Sequence, residues 1–397
     1  MEDIYIVSGA RTAIGRFGGT LKPLMPSEMG AIVAAEAIAR AALSADDVEH
    51  VVVGQVMQTS ARDNMLSRVI ALKAGIPERV PSLTLNRLCG SGLQAIVSAA
   101  QMMQLGEARV TLAGGAESMS NVPYHDHGVR WGRKMGANVQ EDALVMGLQD
   151  AIGDFHMGVT AENVAERHGI SRDDMDGLAV TSHRRAARAI AEGRFSEQIV
   201  PVEIRSRAGD ILFDTDEHVR ADIDAAALAQ MKPAFRDGGT VTAGNASGVN
   251  DGAAMVLLAT ASEVAARGLD PLARIVSWGH AGVQPAYMGE GPIKAVPVAL
   301  ERAGLPLGDL DVIESNEAFA AQAAAVAKVL GFDPDKVNPN GSGVALGHPV
   351  GATGCILAIK CAYELKRTGG RYGLITMCIG GGQGIAMVIE NVSAKPD

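Results

Sequence analysis

The chain has 397 residues, of which 47% are hydrophobic and 20% charged, and a formal net charge of −10. At ~150 residues per domain this length suggests two to three units, ample for a large core, and the acidic balance excludes the basic face that nucleic acid phosphates require. The four cysteines form no Cys-x-x-Cys pair and no apolar run is long enough to span a bilayer, so free thiols, a reducing cytoplasm and no membrane partner are expected.

The chain opens directly into a strand-like Ile4-Tyr5-Ile6-Val7-Ser8, which leaves no room for a signal peptide, and its last residues are not a peroxisomal tripeptide. A helix is predicted over 27–43, a strand over 51–53, a strand over 83–85, a helix over 92–105 and a strand over 110–113. Between roughly 120 and 250 the sequence turns charged and turn-rich, with one convincing helix, capped at Ser171 and ending before Gly193. Its acidic stretch, 210–224, reads as a solvated loop, and Tyr124-His125-Asp126-His127 lacks the further ligand pair that a metal site needs. Strands at 253–259 and 312–314, helices at 317–330 and 351–367, and strands at 374–377 and 385–389 complete the chain, the two helices closing at Gly331 and Gly369.

The chain repeats itself. Leu43-Ser44-Ala45-Asp46-Asp47-Val48 returns as Leu305-Pro306-Leu307-Gly308-Asp309-Leu310, an offset of 262 residues. The same offset carries Cys89-Gly90-Ser91-Gly92 onto Gly351-Ala352-Thr353-Gly354 and Leu112 onto Leu374, while Ile6-Val7-Ser8 matches Ile275-Val276-Ser277 at a slightly different one. Two alternating α/β halves are therefore expected, the first interrupted by a lid-like insertion over a site that both halves form.

Three glycine-framed side chains suit thioester chemistry. Cys89 follows a predicted strand and precedes a predicted helix, so its sulfur should sit at a helix N-terminus. That placement contributes only ~0.3–1 kcal/mol, too little to ionise a thiol of pKa ~8.5, so a base is required, and His348 in Gly347-His348-Pro349 is the candidate. Cys378 enters Gly380-Gly381-Gly382, whose N–H groups can collect negative charge. Asn316 stands where a strand ends and a helix starts, which makes it a helix N-cap, an amide that orients a water, or both. The 47 glycines gather at these motifs, as if to let backbone approach a ligand. Cys355 and Cys361 lack such framing and read as packing residues. Gly90-Ser91-Gly92-Leu93-Gln94-Ala95 also fits a dinucleotide fingerprint, but no acidic residue ends a following second strand about 20 residues on.

On Asn86-Arg87-Leu88-Cys89-Gly90-Ser91-Gly92, Asn245-Ala246-Ser247-Gly248, Asn316-Glu317-Ala318-Phe319, Gly347-His348-Pro349 and Cys378-Ile379-Gly380-Gly381-Gly382, the chain resembles the thiolase family over essentially its whole length. Val350 and Thr353 stand where that family more often has Ile and Ser. The resemblance implies a duplicated five-layer αβαβα fold, with halves at 1–120 plus 250–270 and at 271–397, and a loop domain at 121–249 that binds coenzyme A. It implies Cys89 as nucleophile, His348 as its base, Cys378 as the base for the α-carbon, Asn316 holding a water, and the N–H groups of Cys89 and Gly380 as oxyanion donors. Leu148, His156, Met157, Phe235, Met288 and Phe319 would line the acyl and pantetheine site, Ser247 would bond the pantetheine, and Arg220 would lie near the nucleotide. The activity implied is reversible condensation of two acetyl-CoA to acetoacetyl-CoA and CoA, or alternatively thiolysis of a broader range of 3-ketoacyl-CoA. No cofactor is implied beyond the CoA thioesters, which are substrates, and the assembly implied is a homotetramer. A decarboxylating ketosynthase would pair one cysteine with two histidines, and a non-catalytic acyl-CoA binder would be expected to have lost part of the set.

Overall fold

The computed structural model describes residues 2–205 and 209–394; the 395–397 tail, read above for targeting, lies outside the described residues. In the first half β1 (Ile4–Arg11), α1 (Pro26–Arg40), β2 (His50–Gly54), α2 (Leu66–Lys73), β3 (Ser82–Leu85), α3 (Ser91–Gln104) and β4 (Val110–Ser118) precede the insertion. The insertion carries α4 (Met157–His168) and α5 (Arg172–Ala191), and β5 (Asn250–Thr260) closes the half. The second half runs β6 (Ala273–Gly282), α6 (Gly291–Ala303), β7 (Leu310–Ser315), α7 (Ala320–Leu330), α8 (Val350–Thr368), β8 (Tyr372–Ile379) and β9 (Gln383–Glu390).

Strand order repeats with the sequence. The sheet runs β7-β8-β9-β6-β1-β5-β4-β2-β3, so β1-β5-β4-β2-β3 of one half is answered by β6-β9-β8-β7 of the other, with Val337 bridging Ile313 in parallel where β3 pairs β2. The halves join edge to edge where Tyr5 and Ile6 pair Arg274 and Ala273. Even the irregularities are duplicated: the register slips by one residue between Ile6 and Ser8 and again between Ile275 and Ser277. Each bulge turns a serine inward, Ser277 Oγ donating to Ala299 O at 2.7 Å and Ser8 Oγ to Ala37 O.

Helices α3 and α8 lie against each other between the two halves of the sheet. Their backbones touch because both are glycine at the crossing: a Cβ on Gly92 would meet Cys355 N at 2.9 Å, and one on Gly354 would meet Leu93 N at 2.3 Å. These two glycines, expected to make room for a ligand, make room for the opposing helix. Outside, α1 and α2 cover the first half, while α6 and α7 cover the second around Val296, Leu310, Val326 and Leu374. The layers are thus αβαβα.

The insertion holds more structure than its sequence suggested. Besides the expected helix, whose Ser171 cap accepts from Asp174 N, α4 starts at Met157 with the His156 ring nitrogen as its cap, accepting from Gly158 N at 3.0 Å. Histidine is an unusual cap, which hid the helix start. Ala161, Val164, Met175 and Ala179 of these helices pack on Ala320, Ala321 and Ala325 of α7, so an insertion in the first half rests on the second. The 210–224 segment is not simply a solvated loop: Asp216 is buried and forks onto Arg11 of β1, Nη1 to Oδ1 at 2.7 Å and Nη2 to Oδ2 at 3.0 Å. His127 Nε2 faces Glu141 at 3.1 Å on the surface. No helix among the described residues is long and apolar enough to cross a membrane.

Candidate active site

Cys89 sits on a tight turn between β3 and α3 whose preceding residue, Leu88, holds φ +45°, the left-handed region. That conformation is costly for leucine and is held locally. Leu88 N donates to Asn86 Oδ1 at 2.8 Å, Arg87 N donates to Ser91 Oγ at 2.8 Å, and Ser91 Oγ donates to Leu88 O at 2.7 Å. The sulfur points into a cavity of about 210 Å3. Burial, with a smaller push from the Glu117 carboxylate, raises its pKa to about 11, opposed by N–H bonds from Gly380 and from Cys89 itself.

His348 follows Gly347, whose φ of +105° turns the chain back. Asn250 Oδ1 accepts from His348 N at 2.9 Å. The ring Nδ1 meets Thr353 Oγ1 at 2.7 Å, and that hydroxyl donates to Pro349 O at 2.9 Å. A hydroxyl already donating can only accept from Nδ1–H, which makes Nε2 the acceptor nitrogen of the ring. Burial lowers the His348 pKa to about 4, so the ring is neutral near pH 7. Asn316 Nδ2 lies 3.4 Å from Nε2, and Asn316 Oδ1 is buried with no hydrogen-bond partner among the described residues. Asn316 is not the N-cap of α7, because that helix begins four residues later with Phe319 before it. The intervening segment is extended and pinned by Asn338, whose side chain bonds Ser315 N, Ser315 O and Glu317 Oε1 at 2.8–2.9 Å.

Cys378 ends β8 fully buried, and burial followed by the neighbouring Cys89 pushes its pKa far up. It packs with Met157, Met288, Phe235 and Phe319. Gly380, two residues on, lies against the Cys89 turn, since a Cβ there would meet Leu88 Cδ1 at 3.1 Å and Met157 Sδ at 3.5 Å.

The cavity brings together Cys89, Leu148, His156, Met157, Phe235, Ser247, Met288, Phe319 and His348. Phe235 stacks on His156 at 4.7 Å and meets Phe319 edge-on at 5.9 Å. Ser247 N donates to Ala318 O at 3.0 Å, tying the insertion to the Asn316 segment. Arg220 is the outlier: it is exposed, does not line the cavity, and gives its backbone N–H to His183 Nδ1 at 3.0 Å. Sequence reasoning did not single out Met119 and Val249 as cavity walls, nor Asn250 as the support of His348; ordinary apolar residues and a strand asparagine carry no local signal. Cys355 and Cys361 are core residues.

Two family profiles cover this chain, "Thiolase, N-terminal domain" over residues 4–262 and "Thiolase, C-terminal domain" over residues 269–391. The chain belongs to the thiolase family. It is 57% identical to beta-ketothiolase BktB of Cupriavidus necator over 98% of this chain and 100% of that protein, and 48% identical to acetyl-CoA acetyltransferase of Pseudomonas aeruginosa over 98% and 99%. Among solved structures it superposes on Bacillus anthracis acetyl-CoA acetyltransferase with a TM-score of 0.97 at 45% identity, covering 99% of each chain. Human mitochondrial 3-ketoacyl-CoA thiolase in complex with CoA gives a TM-score of 0.96 at 41% identity, over 99% of this chain and 98% of that one. This thiolase therefore has the thiolase fold.

Proposed function

We propose that this thiolase is an acetyl-CoA acetyltransferase and short-chain beta-ketothiolase working through an acetyl-cysteine. The observation that carries the reading is that one cavity holds the Cys89 thiol and the neutral His348 ring, with the Gly380 N–H bonded to the sulfur and the buried Cys378 thiol close enough for Cys89 to raise its pKa. In thiolysis His348 Nε2 takes the Cys89 proton and the sulfur attacks the 3-keto carbon. The carbon–carbon bond breaks, the departing carbanion takes the proton of Cys378, and acetyl-CoA leaves. His348 then returns its proton to the Cys378 thiolate. CoA attacks the acetyl-cysteine, its thiol proton passing through His348 to Cys89. Both sulfurs begin and end as thiols, which suits two pKa values raised by burial. Condensation traverses the same states backwards.

The N–H groups of Cys89 and Gly380 would hold the oxyanion at the acyl carbon, while protonated His348 and a water on Asn316 Oδ1 would hold the enolate oxygen. Leu148, His156, Met157, Phe235, Met288 and Phe319 would wall the acyl and pantetheine path, Ser247 would bond the pantetheine, and Arg220 would reach only the nucleotide end. We assign the halves to 1–120 plus 250–270 and 271–397, the CoA-binding loop domain to 121–249, and the cytoplasm as the compartment. The exposed apolar side chains of Val129, Trp131 and Met135 support a homotetramer built through that loop domain.

Substituting Cys378→Ser separates the roles. Acetyl-CoA exchange with labelled CoA needs only Cys89 and His348 and should persist within roughly tenfold, whereas acetoacetyl-CoA formation should fall by at least about a thousandfold, the weight of a lost base. Equal loss of both would refute the division between the two sulfurs.

A further inference from the structure

Glu117 lies on β4 behind both reactive turns, fully buried, and its carboxylate bonds no side chain among the described residues. It accepts three backbone N–H groups instead, from Val56 at 2.9 Å, Met57 at 3.1 Å and Gly351 at 2.9 Å. Gly351 is the second residue of α8, whose own cap position is Pro349, without a side-chain cap bond. A carboxylate on a distant strand thus caps the helix that starts immediately after His348.

The internal repeat shows that folding alone does not demand this group. At the 262-residue offset Glu117 corresponds to Ile379, and Ile379 packs on Gly90 at the start of α3, where a Cβ would lie 2.5 Å from its Cδ1. One half meets the start of its central helix with hydrocarbon, the other with a carboxylate. Burying a carboxylate is costly, and here burial raises its pKa to about 8 despite the three donors. When ionised it also opposes ionisation of Cys89, so it does not serve to activate the thiol, and its role is to accept these N–H groups.

Resting on the roles of Cys89 and His348 given above, we propose that Glu117 is a positioning residue for acyl transfer. It fixes the first turn of α8, and with it His348 and Val350, against the Val56-Met57 loop beside the Cys89 pocket. Val350, Met57 and Met119 pack together there with Cys89, so the same carboxylate sets the distance between base, nucleophile and acyl wall.

The test is single-turnover acetylation of Cys89 by acetyl-CoA in Glu117→Gln, alongside steady-state thiolysis. Gln is isosteric but presents an NH2 to donors that need an acceptor, so the acetylation rate and kcat should fall roughly 10- to 100-fold, the scale of a small misplacement, with full burst amplitude and KM for CoA within about twofold. A merely structural role would lower the amplitude and leave the rate unchanged, and that result, like wild-type kinetics, would overturn the proposal. Gly351→Ala attacks the same contact from the other side, placing a Cβ 2.5 Å from Glu117 Oε2, and decides the matter if Glu117→Gln does not fold. Wild-type protein that forms no acetyl-Cys89 would instead remove the nucleophile assignment, and the proposal with it.

Discussion

On the roles proposed above, Val350, Met119, Met157 and Met288 would fix how much room an acyl chain finds beyond Cys89. All four line the same cavity of about 210 Å3, and Val350 and Met119 are backed by Met57. Methionine yields to an added methylene more readily than a branched side chain does. Each methylene accommodated is worth at most ~0.8 kcal/mol, whereas one forced into a filled pocket costs ~1–3 kcal/mol. Acetoacetyl-CoA and 3-ketovaleryl-CoA should therefore both be good substrates, with thiolytic kcat/KM dropping steeply by the eight-carbon 3-ketoacyl-CoA. Val350→Ile, which adds one methylene at the wall, should lower kcat/KM for the five-carbon substrate about 5- to 100-fold more than for the four-carbon one. A kcat/KM rising from four to eight carbons would mean an open tunnel and the degradative reading.

At the scale of elements, much of both halves could be read from sequence where an element carries its own signal, while α2 and α6 are not among the helices expected. The Cys89 turn, α3, α8 and β8 announce themselves through apolar runs bounded by glycine and by a constant repeat. What could not be read depends on partners far along the chain. Helix α4 is hidden because its cap is a histidine, and Asn316 looks like a cap until Asn338, 22 residues on, is seen to hold its segment extended. Asp216 belongs to an acidic stretch and only the fold places Arg11 against it, with both side chains at 0% exposure. That pair pins the returning arm of the insertion to β1. Asp216→Ala would leave a buried guanidinium unpaired and should cost about 3–5 kcal/mol in denaturant unfolding. Glu217→Ala removes an ion pair to Arg16, which is 67% exposed, together with hydrogen bonds from Arg16 N and Thr20, and should cost about 1–2 kcal/mol. Equal small effects would mean that the arm is held elsewhere.

For the whole molecule, pH sets buried histidines against buried carboxylates. His183, His218, His280 and His348 are each lowered to about 4, first by burial, with Arg220 beside His218 and Arg87 and Arg302 near His280 adding to it. The unfolded chain takes up these protons near pH 6.5 and the folded one only near 4, so the stability they contribute is present above 6.5 and lost as pH falls toward 4. Glu117, raised to about 8, Glu314, raised to about 7, and Glu317 and Asp251, all raised first by burial, act in the opposite sense. They hold protons that the unfolded chain releases above about 4.5, so their contribution is full below that value and is lost as pH rises through the folded pKa, near 8 for Glu117. Lowering the pH from 9 toward 6.5 should therefore raise Tm slightly as Glu117 and Glu314 protonate. Below 6.5 the buried histidines, with His50 and His156 adding in the same direction, destabilise while the four raised carboxylates partly compensate, and below about 4.5 the compensation ends and the fall steepens. Melting curves across pH 4 to 9 should show a maximum near 6–7 and a collapse below about 5. A Tm still climbing as the pH falls to 5 would mean that the buried histidines titrate near 6.5, and His348 would then be protonated and unable to serve as the base for Cys89 at that pH.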